Sequence, residues 1–296
     1  MTIVSISAVG PYDLRLSLRV WSSFAPGPFR DASVLRSAVR LQDKPTVLEV
    51  RQVRHDPPTL EIRTDLPDSA SEAKRIARWM IFADLDLRPF YRIAAPHSIL
   101  GPITRELHGL KPMRPASLFE MLVIAVTEQQ ISLAAAYRIR TRIIERFGDP
   151  VNGLWAFPTP RRLSECSVED LITCGLSQRK AEYVKGVAYK VANGQLDLDQ
   201  LVAMSDEEVR TLLLQVRGLG PWSAEYFLVR GLSRPDRVPA DDLGIRSIVG
   251  RYLGSGQRLS PPGTMRKLSS FKPYRGLAAF YLLAYERFII PRLIAG

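Results

Sequence analysis

The chain has 296 residues, 46% of them hydrophobic and 24% charged, a composition that supports a substantial core and excludes bulk disorder. Its 41 basic against 30 acidic residues leave a net charge of +11, which favours a polyanionic partner. The two cysteines, Cys166 and Cys174, exclude a disulfide framework and give no zinc or iron–sulfur spacing, and the three histidines, His55, His97 and His108, form no ligand cluster.

In chain order, residues 1–65 read as strands. Leu14-Arg15-Leu16-Ser17-Leu18-Arg19-Val20 alternates apolar and polar, and 47–53 and 60–63 do so less regularly. Pro26-Gly27-Pro28, Asp43-Lys44-Pro45 and Asp56-Pro57-Pro58 supply turns between them, so an antiparallel sheet is expected. Ser69 with Glu72 three residues on predicts a capping box opening a helix whose apolar positions include Ile76, Ala77, Met80 and Ile81. From about residue 86 the pattern is almost wholly helical. Ser117 opens an apolar helix, 133–147 forms an amphipathic, Arg-studded one ended by Gly148, and Ser167 with Asp170 starts a short one. Ser177 caps 178–192, Ser205 with Glu208 makes a capping box, and 273–294 gives a last helical stretch interrupted by Pro291. The N-terminus lacks the basic region of a secretory signal, and no apolar run approaches ~20 residues, so neither export nor a membrane span is expected.

The strongest motif is Val216-Arg217-Gly218-Leu219-Gly220-Pro221-Trp222-Ser223-Ala224. It reads as two short helices meeting at a glycine turn, a helix-hairpin-helix. The glycines allow close backbone approach, and main-chain N–H groups at a helix N-terminus can hold a phosphate. Leu219 is the apolar peg of the turn, and Pro221 suits a first helical position. Arg217, Gly218, Leu219, Gly220 and Ser223 are therefore the expected DNA-binding set. Such a grip ignores base sequence, because phosphates position and bases specify. Pro239-Ala240-Asp241-Asp242-Leu243-Gly244 follows, with two carboxylates at the start of a further helix. Either one can be a helix cap, or a fixed negative charge facing a sugar on which positive charge develops. Trp222 and Tyr226, four residues apart, share one helix face and can serve as core aromatics or as a wall for an extruded base.

With these residues in view, the chain resembles the helix-hairpin-helix superfamily of DNA base-excision glycosylases, and within it the type II 3-methyladenine glycosylases of alkylation repair. Thr127-Glu128-Gln129-Gln130-Ile131-Ser132 is similar to the Gln-Gln-Ile-Ser signature, and Gly175-Leu176-Ser177-Gln178-Arg179-Lys180-Ala181-Glu182-Tyr183 resembles the Gly-x-Ser-x-x-Lys-Ala-x-Tyr helix start. With the hairpin and the Pro-Ala-Asp-Asp segment, the likeness spans roughly residues 115–250. The resemblance implies an α+β chain: an N-terminal antiparallel sheet domain with helices over 1–85, then an all-α glycosylase core over 86–296, as one unit or two helical subdomains. It places the catalytic carboxylate at Asp242 with Asp241 as a cap or support; counting two residues from Pro239 instead favours Asp241. It places the wedge that fills the vacated stack at Gln130, and the base pocket at Trp222 and Tyr226. A family pocket Trp is replaced at Leu283, with Tyr281 and Tyr285 as substitutes. Arg246 is expected to meet a phosphate or to pair with an Asp.

Bifunctional relatives carry a Lys after the hairpin proline as a Schiff-base nucleophile. This chain has Trp222 there, and it lacks the four clustered cysteines of the iron–sulfur members. The implied activity is a monofunctional glycosylase for alkylated, cationic purines such as 3-methyladenine, leaving an abasic site. The implied partner is double-stranded DNA containing damaged bases. A cytoplasmic, nucleoid-associated monomer is expected, with no membrane partner and no required cofactor, and with a structural Na+ or K+ near Gly218 allowed by the likeness. The competing readings are a non-catalytic hairpin DNA-binding protein and, more distantly, a basic scaffold for protein partners.

Overall fold

The computed structural model describes residues 1–24 and 33–291. The proposed turn Pro26-Gly27-Pro28 and positions 292–294 of the last expected helix lie outside the described residues. Four strands, β1 (Thr2–Ser7), β2 (Val34–Leu41), β3 (Lys44–His55) and β4 (Pro58–Thr64), form an antiparallel sheet in the order β1-β4-β3-β2. The helices are α1 (Leu14–Phe24), α2 (Ala70–Met80), α3 (Arg88–Ala94), α4 (Leu100–Glu106), α5 (Leu118–Thr127) and α6 (Leu133–Phe147). After a two-stranded hairpin, β5 (Asp149–Val151) and β6 (Leu154–Ala156), come α7 (Pro160–Glu165), α8 (Val168–Thr173), α9 (Gln178–Ala192), α10 (Gln200–Ala203), α11 (Asp206–Leu214) and α12 (Pro221–Arg230). The chain continues through α13 (Leu243–Leu253), α14 (Pro261–Leu268) and α15 (Arg275–Ala284), which runs into a wide π-type turn at Tyr285–Ile289. Among the described residues no helix is long and apolar enough to cross a membrane.

The segment expected to be the first alternating strand is a helix. Leu14 and Leu18 are buried in the cluster beneath the sheet, whereas Val20 and the partly buried Leu16 pack on a second cluster built from residues 85–110 and 238–289. A helix wedged between two cores needs two apolar faces, and at this length two faces imitate a period of two. Asp13 supplies the start, its Oδ1 accepting from Leu16 N at 2.8 Å. A second expectation also fails. Ser69 does not cap α2; its hydroxyl donates to Leu66 O at 2.7 Å, and Glu72 accepts from the Gln42 N–H at 2.6 Å. The turn after β2 claims the carboxylate, and the loop before α2 claims the hydroxyl, so the local box does not form. The other serine signals hold: Ser117, Ser177 and Ser205 all cap, with reciprocal boxes at Ser167 and Ser205, and Ser132 caps α6 as well, a cap not expected from the sequence.

The helical part buries two clusters. One is drawn from residues 118–232; the other joins α3 and α4 to α13 and α15. Tyr281 sits at the centre of the second, fully buried. Its hydroxyl donates to Leu110 O at 2.7 Å and lies 2.9 Å from the Tyr91 hydroxyl. This residue pins the chain before α5 to the last helix and does not line a base pocket, so the assignment of Tyr281 to that pocket is corrected. Tyr281→Phe leaves the Leu110 carbonyl buried without its donor and should cost about 1–3 kcal/mol, read as a lower urea midpoint at unchanged slope.

Candidate active site beside the glycine turn

The hairpin forms as its sequence demands. Gly218 adopts φ +98°, and a Cβ there would lie 2.3 Å from the Tyr183 ring. Glycine is required at this position for both reasons. Leu219 is buried as the peg, its N–H donating to Val216 O at 3.0 Å. Gly220 differs from Gly218: its φ is −96° and a Cβ would meet nothing within 4 Å. It is the N-cap of α12 with no side-chain cap, so the first N–H groups of that helix are left open. Arg217 is 78% exposed, paired with Glu182 at 3.1 Å and set over the Tyr183 ring at 5.7 Å.

The other motifs close around this turn. Gln129 Nε2 donates to Gly218 O at 2.8 Å and to Ser223 Oγ at 3.0 Å. Lys180 Nζ donates to Thr127 O at 3.0 Å and to Gln129 O at 2.5 Å. The lysine thereby clamps the end of α5, and the glutamine clamps the hairpin. Ser223 was expected to face DNA; its side chain is instead 2% exposed and committed to Gln129. Gln130, next to that anchor, is exposed at φ +54°, a conformation a non-glycine residue adopts only when its neighbours hold it.

Asp242 is the N-cap of α13 and uses both oxygens. Oδ1 accepts from Ile245 N at 3.0 Å, and Oδ2 accepts from Trp222 Nε1 at 3.0 Å. Asp241 is exposed. Trp222 stacks on Tyr226, with ring centroids 4.8 Å apart and planes at 18°. The Tyr226 hydroxyl donates to Glu128 Oε2 at 2.6 Å, and Glu128 Oε1 accepts from Arg140 at 2.6 Å. Burial, then the Glu128 charge, pushes the Tyr226 hydroxyl pKa up, which keeps the phenol protonated as that donor. The carboxylate, the ring pair and the buried ion pair thus form one connected wall. A cleft of about 510 Å³ lies behind it, bordered by Trp21, Glu120, Tyr137 and Arg140.

Two further residues extend the wall and escaped the sequence reading. Arg230, one turn beyond Tyr226, sets its guanidinium carbon 5.9 Å from that ring and 4.7 Å from the ring of Trp21. Trp21 arrives on α1, which packs against the turn after α15; an assignment of this segment to a strand could not have placed it there. Arg246 is half-buried, and its Nε donates to Leu259 O at 2.7 Å. Leu283 is half-buried and packs on the cluster of α3, α4, α13 and α15, as does Tyr285. Among the described residues no group of His, Cys, Asp or Glu side chains could hold a metal ion.

Comparison with known proteins agrees with this geometry. The family model described as HhH-GPD superfamily base excision DNA repair protein matches residues 123–273. A DNA-3-methyladenine glycosylase of Bacillus subtilis is 34% identical over 214 residues, 71% of this chain and 70% of that protein. Among solved structures, a 3-methyladenine DNA-glycosylase from Archaeoglobus fulgidus superposes with a TM-score of 0.84 at 26% identity, covering 97% of this chain and 99% of the other. A 3-methyladenine DNA glycosylase of Schizosaccharomyces pombe, solved in complex with abasic DNA, gives 0.58 at 28% identity over 66% of this chain and 94% of its own. The chain belongs to the helix-hairpin-helix superfamily of base-excision DNA repair proteins.

Proposed function

We propose that the protein is a monofunctional DNA glycosylase that hydrolyses the N-glycosidic bond of alkylated, cationic purines such as 3-methyladenine in double-stranded DNA and leaves an abasic site. The observation that carries this reading is the Asp242 carboxylate, held by the Trp222 indole beside the open N-terminus of α12. The uncapped N–H groups after Gly220 take a backbone phosphate. The target nucleotide leaves the stack, Gln130 fills its place, and the base lies against Trp222 and Tyr226, whose ring faces attract its positive charge.

The bond between C1′ and the base nitrogen breaks with its electron pair going to the base. A cationic base thereby leaves neutral and needs no general acid. Positive charge builds on the sugar, and Asp242 stabilises it. Water then bonds to C1′ and releases its proton to that carboxylate or to solvent. Trp222 offers no amine, so no Schiff base forms and the strand stays intact. None of these steps uses a cofactor. A Na+ or K+ ion fits only at backbone carbonyls near Gly218, whose own oxygen already accepts the Gln129 amide, and no step runs through it. The protein acts as a monomer, in the cytoplasm with its DNA. The named relatives are glycosylases, which favours the enzyme over a non-catalytic hairpin protein.

Asp242→Asn keeps a competent helix cap but loses the charge. Base release from methylated duplex, followed by chromatography, should fall at least about 100-fold while DNA affinity by fluorescence anisotropy stays level; undiminished release would remove Asp242 from the chemistry. Gly220→Asp has room for its side chain and can cap α12, so its melting temperature should hold or rise. Its DNA affinity should drop, with the slope of log K against log salt flatter by about 0.9 for one lost phosphate. Unaltered affinity would mean the turn does not meet phosphate. Gly218→Ala, by contrast, should already fail in folding.

A further inference from the structure

We propose that Glu128, paired with Arg140, is a positioning residue for base release: it holds Tyr226, the Tyr226 ring holds the Trp222 indole, and the indole sets the Asp242 carboxylate. This rests on the reading above that Asp242 faces the sugar. The chain of contacts is continuous. Tyr226 donates to Glu128 at 2.6 Å, its ring lies 4.8 Å from the Trp222 indole with planes at 18°, and the indole N–H donates to Asp242 at 3.0 Å. Glu128 acts only through Tyr226 and touches no reacting atom.

Glu128 is the anchored end of this chain. It is the C-cap of α5, and the backbone on either side is pinned: Lys180 Nζ reaches the carbonyls of Thr127 and Gln129, and the Gln129 amide is bound to Gly218 and Ser223. Trp222 is the loose end. It is half-buried and stands at the second position of α12, where no side chain caps the helix. A ring stacked on another can slide and swing. Glu128 fixes the hydroxyl at the far end of Tyr226, and that stops the ring beneath the indole from swinging. The reaction is sensitive to such freedom, because a reacting group displaced by about 1 Å costs on the order of 100-fold in rate.

The ion pair is a poor device for stability. The Arg140 and Glu128 side chains are only 13% and 7% exposed, and desolvating two charges offsets most of their attraction, so well-packed apolar residues would hold α5 to α6 equally well. What the pair provides is direction. With Oε1 bound to Arg140 and Oε2 to Tyr226, the carboxylate cannot turn away from the phenol. Burial, then the Glu128 charge, keeps the proton on the Tyr226 oxygen and so keeps the bond made.

The test compares variants that cut the chain at different links. Glu128→Met combined with Arg140→Met removes both charges and leaves neither stranded; Tyr226→Phe keeps the ring and the ion pair and removes only the tie. Each should slow single-turnover release of 3-methyladenine by about tenfold to a hundredfold, with melting temperature and affinity for abasic duplex close to the wild type, and joining them should bring no further loss. A second readout does not depend on activity. In protein carrying 15N-labelled tryptophan, the indole N–H resonance of Trp222, identified by its loss in Trp222→Phe, should move in both variants, while that of Trp79, bound to Pro115 O, stays. Should the charge-free variant melt early, Tyr226→Phe decides by the same two readouts. An unmoved Trp222 resonance, an unchanged release rate, or additive losses on combination would overturn the proposal and make Glu128 a packing residue. A wild type that frees no base while the resonance still moves in the variants would overturn the glycosylase reading, and with it the catalytic role given to Glu128, but not the mechanical coupling.

Discussion

The Asp242 carboxylate is held between two helices. One oxygen takes the N–H of Ile245 within α13, and the other takes the indole N–H of Trp222 on α12, both at 3.0 Å. It cannot rotate without breaking both bonds, and the helices cannot separate without releasing it. A group that must face developing charge works best when its orientation is already set before the reaction begins. Here a single side chain caps α13 and bonds the indole of α12, so the stability of α13 and the placement of the charge are the same constraint.

From that carboxylate the structure is a series of short polar links, each made by a residue of a different motif. Trp222 leads to Tyr226, Tyr226 to Glu128 and Glu128 to Arg140. On the other side of the turn, Lys180 holds the carbonyls that end α5, and Gln129 beside them holds Gly218. The motifs far apart in sequence are thus one polar framework around the hairpin. The two glycines of that hairpin carry different requirements. Gly218 answers to the interior, where Tyr183 leaves no room for a Cβ. Gly220 answers to whatever approaches from outside.

Much of this was legible from residue types at short spacing. The caps at Ser117, Ser167, Ser177 and Ser205 depend on contacts within one helical turn, and those are local by nature. The hairpin was readable for the same reason, whereas the cap fell to Asp242 and not to Asp241, the neighbour expected to serve as cap or support. The failures share a cause as well. The segment from Leu14 to Val20 alternates because it serves two cores at once, and Ser69 with Glu72 gave way to Leu66 and Gln42. Tyr281 looked like a pocket aromatic until its hydroxyl was seen on Leu110, 171 residues away. Trp21 and Arg230 meet across the whole chain, and nothing in their immediate neighbourhoods announces the contact.

The position of Trp21 has an evolutionary consequence. It lies well outside the stretch 123–273 that the family model matches, yet its ring faces the helix that bears the reaction's aromatic pair. The two partners of this contact, Trp21 and Arg230, are therefore drawn from distant parts of the gene. Changes in the first two dozen codons therefore reach α12 through one ring, from a region that family signatures do not watch.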